Sequence, residues 1–391
     1  MKQIYLDHAA TTALDPRVLE KMLPYFTMEY GNANSQHGYG RTAQKAVDEA
    51  RDGIAKLIGA KPSEIYFTSG GTESDNWVLR GISSALKSKG KHIIISKIEH
   101  AAMLSTCKEL EKEGFEVTYL DVDEEGFVDL AQLENSIRED TILISCMFAN
   151  NEIGTIEPIE EIVKIAKKHK ILVHTDAVQA MGAIDIDVSK LGVDMMSFSA
   201  HKFNGPKGMG ALYLKNGVPI SRLISGGHQE RTRRGGTTNV PAVVGFYEAL
   251  RLTKLEMQKD NEYVASLRDR FVKRVLEEIP NVKLNGAKDT SKRLPSNADF
   301  SFEYIEGESI LFSLDMDGIA VSSGSACSSG SLEPSHVLLA IGLSEEIAHG
   351  TIRFSFGKEN TVEEVDYVVD TLKSTIKRLR EMSPLWNSSN N

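Results

Sequence analysis

The chain has 391 residues, 41% of them hydrophobic, enough to bury a large core and, at the usual size of folding units, to suggest two domains in one compact body. Its net charge of −10, from 55 acidic and 45 basic residues with no basic block, argues against nucleic acid as the main ligand. No stretch reaches the roughly 20 apolar residues of a membrane helix and the start MKQIYLDHAATT is not a signal peptide, so a cytoplasmic protein with no membrane partner is expected.

From residue 40 to 215, helical periods alternate with short apolar runs. Arg41 to Ile58 sets Ala43, Ala46, Val47, Ala50, Ile54 and Leu57 on one face and stops at Gly59. The runs Ile65 to Thr68, His92 to Ser96, Val117 to Leu120, Ile142 to Met147, Ile171 to Thr175 and Met195 to Ser199 read as buried strands between such helices. The pattern predicts an α/β fold with a mainly parallel sheet. Val240 to Glu278 holds only Pro241 and Gly245 as breakers, so one or two long helices carry the chain out of the sheet. Strands near Ala298 to Phe302 and Ile352 to Phe356 then precede a closing helix. That helix opens on the capping box Thr361 to Glu364, with Val365, Val368, Leu372, Ile376 and Leu379 facing inward. Ser322 to Ser331, with six serines and two glycines around Cys327, has a composition that predicts a mobile loop.

Several segments suit particular chemistry. The strand ending at Thr68 runs through Ser69, Gly70, Gly71, Thr72 and Glu73 into a helix, a turn whose N–H groups and Thr72 hydroxyl face an anion; a capped turn alone would read the same. In SFSAHKFNGPKG, Ser199, His201 and Lys202 follow a strand. A lysine there, once desolvated, can form a Schiff base, whereas Lys207 reads as an ordinary exposed lysine. ILVHTDAVQ places Asp176 and Gln179 at the carboxyl end of a strand, where open α/β sheets bind ligands. Asp176 could hold a pyridine nitrogen protonated or cap the next helix. His100 just past another strand is open to a structural or a catalytic reading. The three cysteines form no pair: Cys146 and Cys107 read as packing, and Cys327 by composition as an incidental thiol. DVDEEG resembles the start of a calcium loop, but its twelfth position is Gln132, so it reads as a solvated turn and no metal is expected.

Ten segments in order carry a resemblance that runs from the N-terminus to SPLW: YLDHAATT, GNANSQH, FTSGGTESDN, EHAAML, ANNEIGT, HTDAVQ, SFSAHKFNGPKG, GGHQERTRRGGTTN, SSGSACSSGSLEPSHVL and IRFSFG. The chain resembles the NifS/IscS-like cysteine desulfurases of the class V aminotransferase group. His8, Gly71 and Thr238 depart from the family's usual asparagine, alanine and glutamate without removing a reactive group.

The resemblance implies the pyridoxal phosphate (PLP) dependent transferase fold type I. Residues 13–255 would form a large domain with a mainly parallel seven-stranded sheet, and 1–12 with 256–391 a smaller α+β domain carrying the Cys327 loop. It implies that Lys202 carries PLP, Asp176 pairs with the ring nitrogen, Gln179 and Asn151 address the ring oxygen and substrate, and His100 stacks on the ring and shuttles protons. Gly71, Thr72, Ser199 and His201 would hold the phosphate together with Thr237 from the second subunit of a homodimer. Arg353 would take the substrate carboxylate, with Asn34 and His37 in the substrate-side loop. The implied activity converts L-cysteine to L-alanine, with sulfur passed as a persulfide to Cys327 and on to an iron–sulfur scaffold or another acceptor protein. The alternatives are a selenocysteine lyase or a cysteine C–S lyase on the same scaffold, neither of which needs a second nucleophile, and a catalytically silent sulfur-carrier or regulatory partner.

Overall fold

Seven short strands build the central sheet in the order Ile65–Thr68, Gly210–Leu214, Met195–Ser199, Leu172–Asp176, Thr141–Ser145, His92–Ser96, Glu116–Leu120. The computed structural model describes residues 3–323, 334–384 and 386; Cys327 and most of its serine-rich loop lie outside them. Every strand is parallel to its neighbours except Gly210–Leu214, which runs antiparallel to both the strands beside it. The six runs read from sequence are all strands, with ends shifted by up to two residues. The seventh was not read from the residues. It follows Ser199 after only ten residues, too few for the crossover a parallel neighbour requires, so it turns back antiparallel.

Both faces of the sheet are covered, which is why its strands are apolar on both sides. Gly38–Leu57 packs Ala43, Ala46, Val47, Ala50 and Ile54 into the core on one face. It starts three residues before the sequence period does, because the His37 ring accepts a hydrogen bond from Gly40 N and caps it. On the other face Trp77, Val78 and Ile82 of Gly71–Leu86 pack with Met103, Cys107 and Leu110 of Ala101–Lys112. The thiols Cys107 and Cys146 are both buried, as expected of packing residues.

A single helix, Val240–Glu278, spans 39 residues and serves two cores. Val240 to Leu252 belongs to the core against the sheet, and Val264 to Val275 to a separate one. The second core lies on an antiparallel sheet ordered Ser322–Ser323, Thr351–Ser355, Asn297–Phe302, Val282–Leu284. Phe271 stands at its centre, with ring centroids 4.7, 5.4 and 6.0 Å from Phe354, Phe356 and Phe300. The closing helix, Val362–Met382, starts at the capping box of Thr361 and Glu364 and buries Val365, Val368, Leu372 and Ile376. The N-terminus joins this region too: Ile4–Tyr5 pairs in parallel with Ile319–Ala320, and Asp7 bridges to Ser355. Among the described residues no helix is long and apolar enough to cross a membrane.

Candidate active site

All the parallel strands point their carboxyl ends the same way, and the loops that leave them close over a cavity of about 390 Å³. The strand Ile65–Thr68 delivers Gly71 and Thr72 to its wall, Leu172–Asp176 delivers Asp176 and Gln179, and Met195–Ser199 delivers Ser199, His201 and Lys202. His100 and Asn151 come from the loops after two further strands, and Arg353 from the antiparallel sheet. These ten residues, far apart in sequence, are thus brought to one space.

The helix Gly71–Leu86 starts at Gly70, which supplies no side-chain cap, so first-turn N–H groups face the same cavity as Thr72, Ser199 and His201. A Cβ on Gly71 would come within 2.6 Å of Val178 Cγ2, so glycine lets Val178 approach this turn. Asp176 lines the same cavity, and its Oδ1 accepts from Val178 N at 2.8 Å. It therefore caps the turn and faces the cavity at once. Lys202 Nζ donates to the carbonyls of Ala9 at 2.5 Å and Ala10 at 3.0 Å, while Gln179 Nε2 donates to the same Ala9 carbonyl. His100 Nδ1 accepts from Ala102 N at 3.1 Å, so the neutral ring carries its proton on Nε2. Arg353 donates from Nη1 to the Asn151 carbonyl at 2.9 Å and from Nη2 to Asp7 at 2.8 Å.

Four of the expected residues are not in this wall, among them His37, whose ring caps the helix Gly38–Leu57 instead. Asn34 is exposed, with its N–H on Asn32 Oδ1. Thr237 lines a separate cleft with Ser69, Arg234 and Gly236, and its assignment was to a partner's site rather than its own. Cys327 lies outside the described residues. The DVDEEG segment is a turn, with Asp123 accepting from Glu125 N and Phe127 N, and Gln132 bonded to Asp121.

The class V aminotransferase family model matches residues 4–368. A cysteine desulfurase IscS of Clostridium botulinum strain Hall is 55% identical over 385 residues, 98% of this chain and 97% of that one. One from Dictyoglomus turgidum is 55% identical over 383 residues, with the same coverage. The chain belongs to the class V aminotransferase family, in its NifS/IscS-like cysteine desulfurase branch. Among solved structures, a NifS-like protein superposes with a TM-score of 0.91 at 42% identity, over 97% of this chain and all of that one. A structure titled SspA in complex with cysteine gives 0.80 at 36% identity, over 92% of this chain and all of that one.

Members of this family use PLP, and the side chains of this enzyme fit it. The donors at the helix start suit a phosphate, Lys202 can reach an aldehyde, and Asp176 suits a cationic ring nitrogen. Burial raises the Asp176 carboxyl, with the Val178 N–H, His100 and Lys202 pulling the other way, so a further cation beside it would be welcome. Burial lowers the His100 and His201 imidazoles, His201 to about 4, leaving both neutral near pH 7.

Two buried carboxyls that feel the charge of Asp176 had no role in the sequence reading. Asp75 lines the cavity one helical turn after Gly71, a spacing that places both on one face and could have flagged it. Burial and the like charge of Asp176 raise it, and its Oδ1 has no hydrogen-bond partner. Glu99 accepts from Ser96 Oγ and Met147 N, each at 2.7 Å, and burial pushes it up to about 8. Glu99 is therefore mostly protonated near neutral pH. Glu152, buried beside Asn151, accepts from Ser335, and His336 bonds the Glu99 carbonyl. The helix His336–Ala340 after the Cys327 loop is thereby tied to the catalytic loops.

Proposed function

We propose that this enzyme converts L-cysteine to L-alanine and moves the sulfur, as a persulfide, to Cys327 and then to an acceptor protein, chiefly for iron–sulfur cluster assembly. It would do so as a homodimer, with Thr237 reaching the partner's phosphate cradle, and with residues 13–255 and 1–12 plus 256–391 as its two domains. The observation that carries the reading is the meeting of Lys202, Asp176, His100 and Arg353 in one cavity beside an uncapped helix start.

PLP, when bound, withdraws electrons from the substrate Cα and makes its proton acidic. Gly71, Thr72, Ser199 and His201 would hold the phosphate, Asp176 the ring nitrogen, and Gln179 and Asn151 the ring oxygen and substrate. Arg353 would hold the carboxylate of L-cysteine. Lys202, once its amine is free, is the base for the Cα proton, and the nearby Ala9 and Ala10 carbonyls can take its ammonium form. His100, with its proton on Nε2, is placed to give and take protons at the substrate. The Cys327 thiolate attacks the substrate sulfur, the C–S bond breaks, and the carbon fragment gains protons to become alanine: cysteine and one enzyme thiol give alanine and one enzyme persulfide.

Borohydride reduction of the PLP-loaded protein followed by peptide mapping tests the cofactor assignment. The phosphopyridoxyl mass is expected on the peptide containing Lys202, and a Lys202→Ala variant should carry none. Label on another lysine would overturn the assignment.

A further inference from the structure

The N-terminal turn from Asp7 to Thr11 lies between the lysine and the arginine of the cavity. Its Ala9 and Ala10 carbonyls hold Lys202, and Thr11 Oγ1 lies 3.1 Å from His201 Nδ1. Asp7 itself holds Arg353: Oδ1 accepts from Nη2 at 2.8 Å while the Asn151 carbonyl takes Nη1 at 2.9 Å. The Arg353 side chain is only 6% exposed and its buried Nε has no partner. A guanidinium has five N–H donors in one plane, so two fixed acceptors on separate nitrogens set both the plane and the direction of the remaining donors. Asp7 is held in turn by main-chain bonds: Ser355 N donates to Leu6 O at 2.7 Å, and Ala10 N to Asp7 O at 3.0 Å.

We propose that Asp7 is a positioning residue for substrate recognition, which aims the Arg353 fork into the cavity so that it takes the carboxylate of an α-amino acid. The inference rests on the reading of Arg353 as the carboxylate ligand. Asp7 acts through geometry: any oxygen acceptor of the same reach keeps the fork aimed.

The test uses the PLP-loaded enzyme and two probes, L-alanine and ethylamine, which is L-alanine without its carboxylate. Both are titrated against the absorbance of the bound cofactor. Asp7→Ala is expected to weaken L-alanine about tenfold or more, the scale on which a misplaced binding group costs affinity, and to leave ethylamine unchanged. Asp7→Asn, which keeps an oxygen at the same reach, should restore L-alanine to within about threefold of the parent. In turnover, Asp7→Ala should raise KM for L-cysteine more than it lowers kcat. Equal loss of both probes, or no loss of L-alanine, overturns the proposal. Arg353→Gln separates the two readings: if it leaves L-alanine binding intact, the assignment of Arg353 itself fails. If it weakens L-alanine while Asp7→Ala does not, only the role of Asp7 fails.

Discussion

Alkylation of the folded protein should find one reactive thiol. Cys107 is fully buried, and burial pushes its thiol up from 9.0 to about 12. At pH 8 an ordinary thiol is about one-tenth thiolate, whereas at Cys107 the fraction is about 1 in 10⁴, a thousandfold loss of nucleophile before any loss of access. Cys146, also fully buried, is raised well above the ordinary value. The perturbation is brief exposure of the native protein to iodoacetamide at pH 8, then digestion and mass spectrometry of the three cysteine peptides, with a parallel sample in denaturant. The expected result is label on Cys327 alone in the native sample and on all three in the denatured one. Comparable native labelling of Cys107 or Cys146 would refute the reasoning and open a second candidate for the sulfur acceptor.

Gly71→Ala should weaken PLP binding, because its Cβ would meet Val178 Cγ2 at 2.6 Å, an overpacking of about 1–3 kcal/mol; adding Val178→Ala should recover it. Reconstitution titrations measure both, and a Gly71→Ala Kd equal to the parent's would contradict the argument. Glu99 is raised to about 8 from 4.5, so the fold holds a proton that the unfolded chain has lost, and stability falls as pH climbs from about 4.5 to about 8. Glu99→Gln keeps Oε1 as acceptor and should flatten that slope by about 1 kcal/mol per pH unit in urea unfolding; parallel curves would count against it. Phe271→Ala removes the ring at the centre of the second core and should cost about 3–5 kcal/mol in the same assay, and a cost below about 1 kcal/mol would show that the site collapses freely.

Much of the architecture was legible because continuous apolar runs such as His92–Ser96 occur where both faces of a strand are covered. Gly210–Leu214 escaped notice because it emerges from a glycine-rich turn, although the ten-residue connection already implied its antiparallel direction. Lys202, Asp176 and the Gly71 turn could be suspected from their places at strand ends. Arg353 could not: it enters the cavity from a different sheet, and only the resemblance drew attention to it. Asp7 was less legible still. It meets Arg353 across 346 residues of chain, and no local period marks an aspartate that works by holding another side chain.

The most direct test of the account is anaerobic incubation of the PLP-loaded protein with L-cysteine, following alanine and cyanolysable persulfide in the parent and in Cys327→Ser. Alanine and persulfide together in the parent, with the persulfide lost in the variant, is the predicted result. Pyruvate in place of alanine, or equal sulfide release from the variant, would show a lyase and contradict the transfer of sulfur to Cys327.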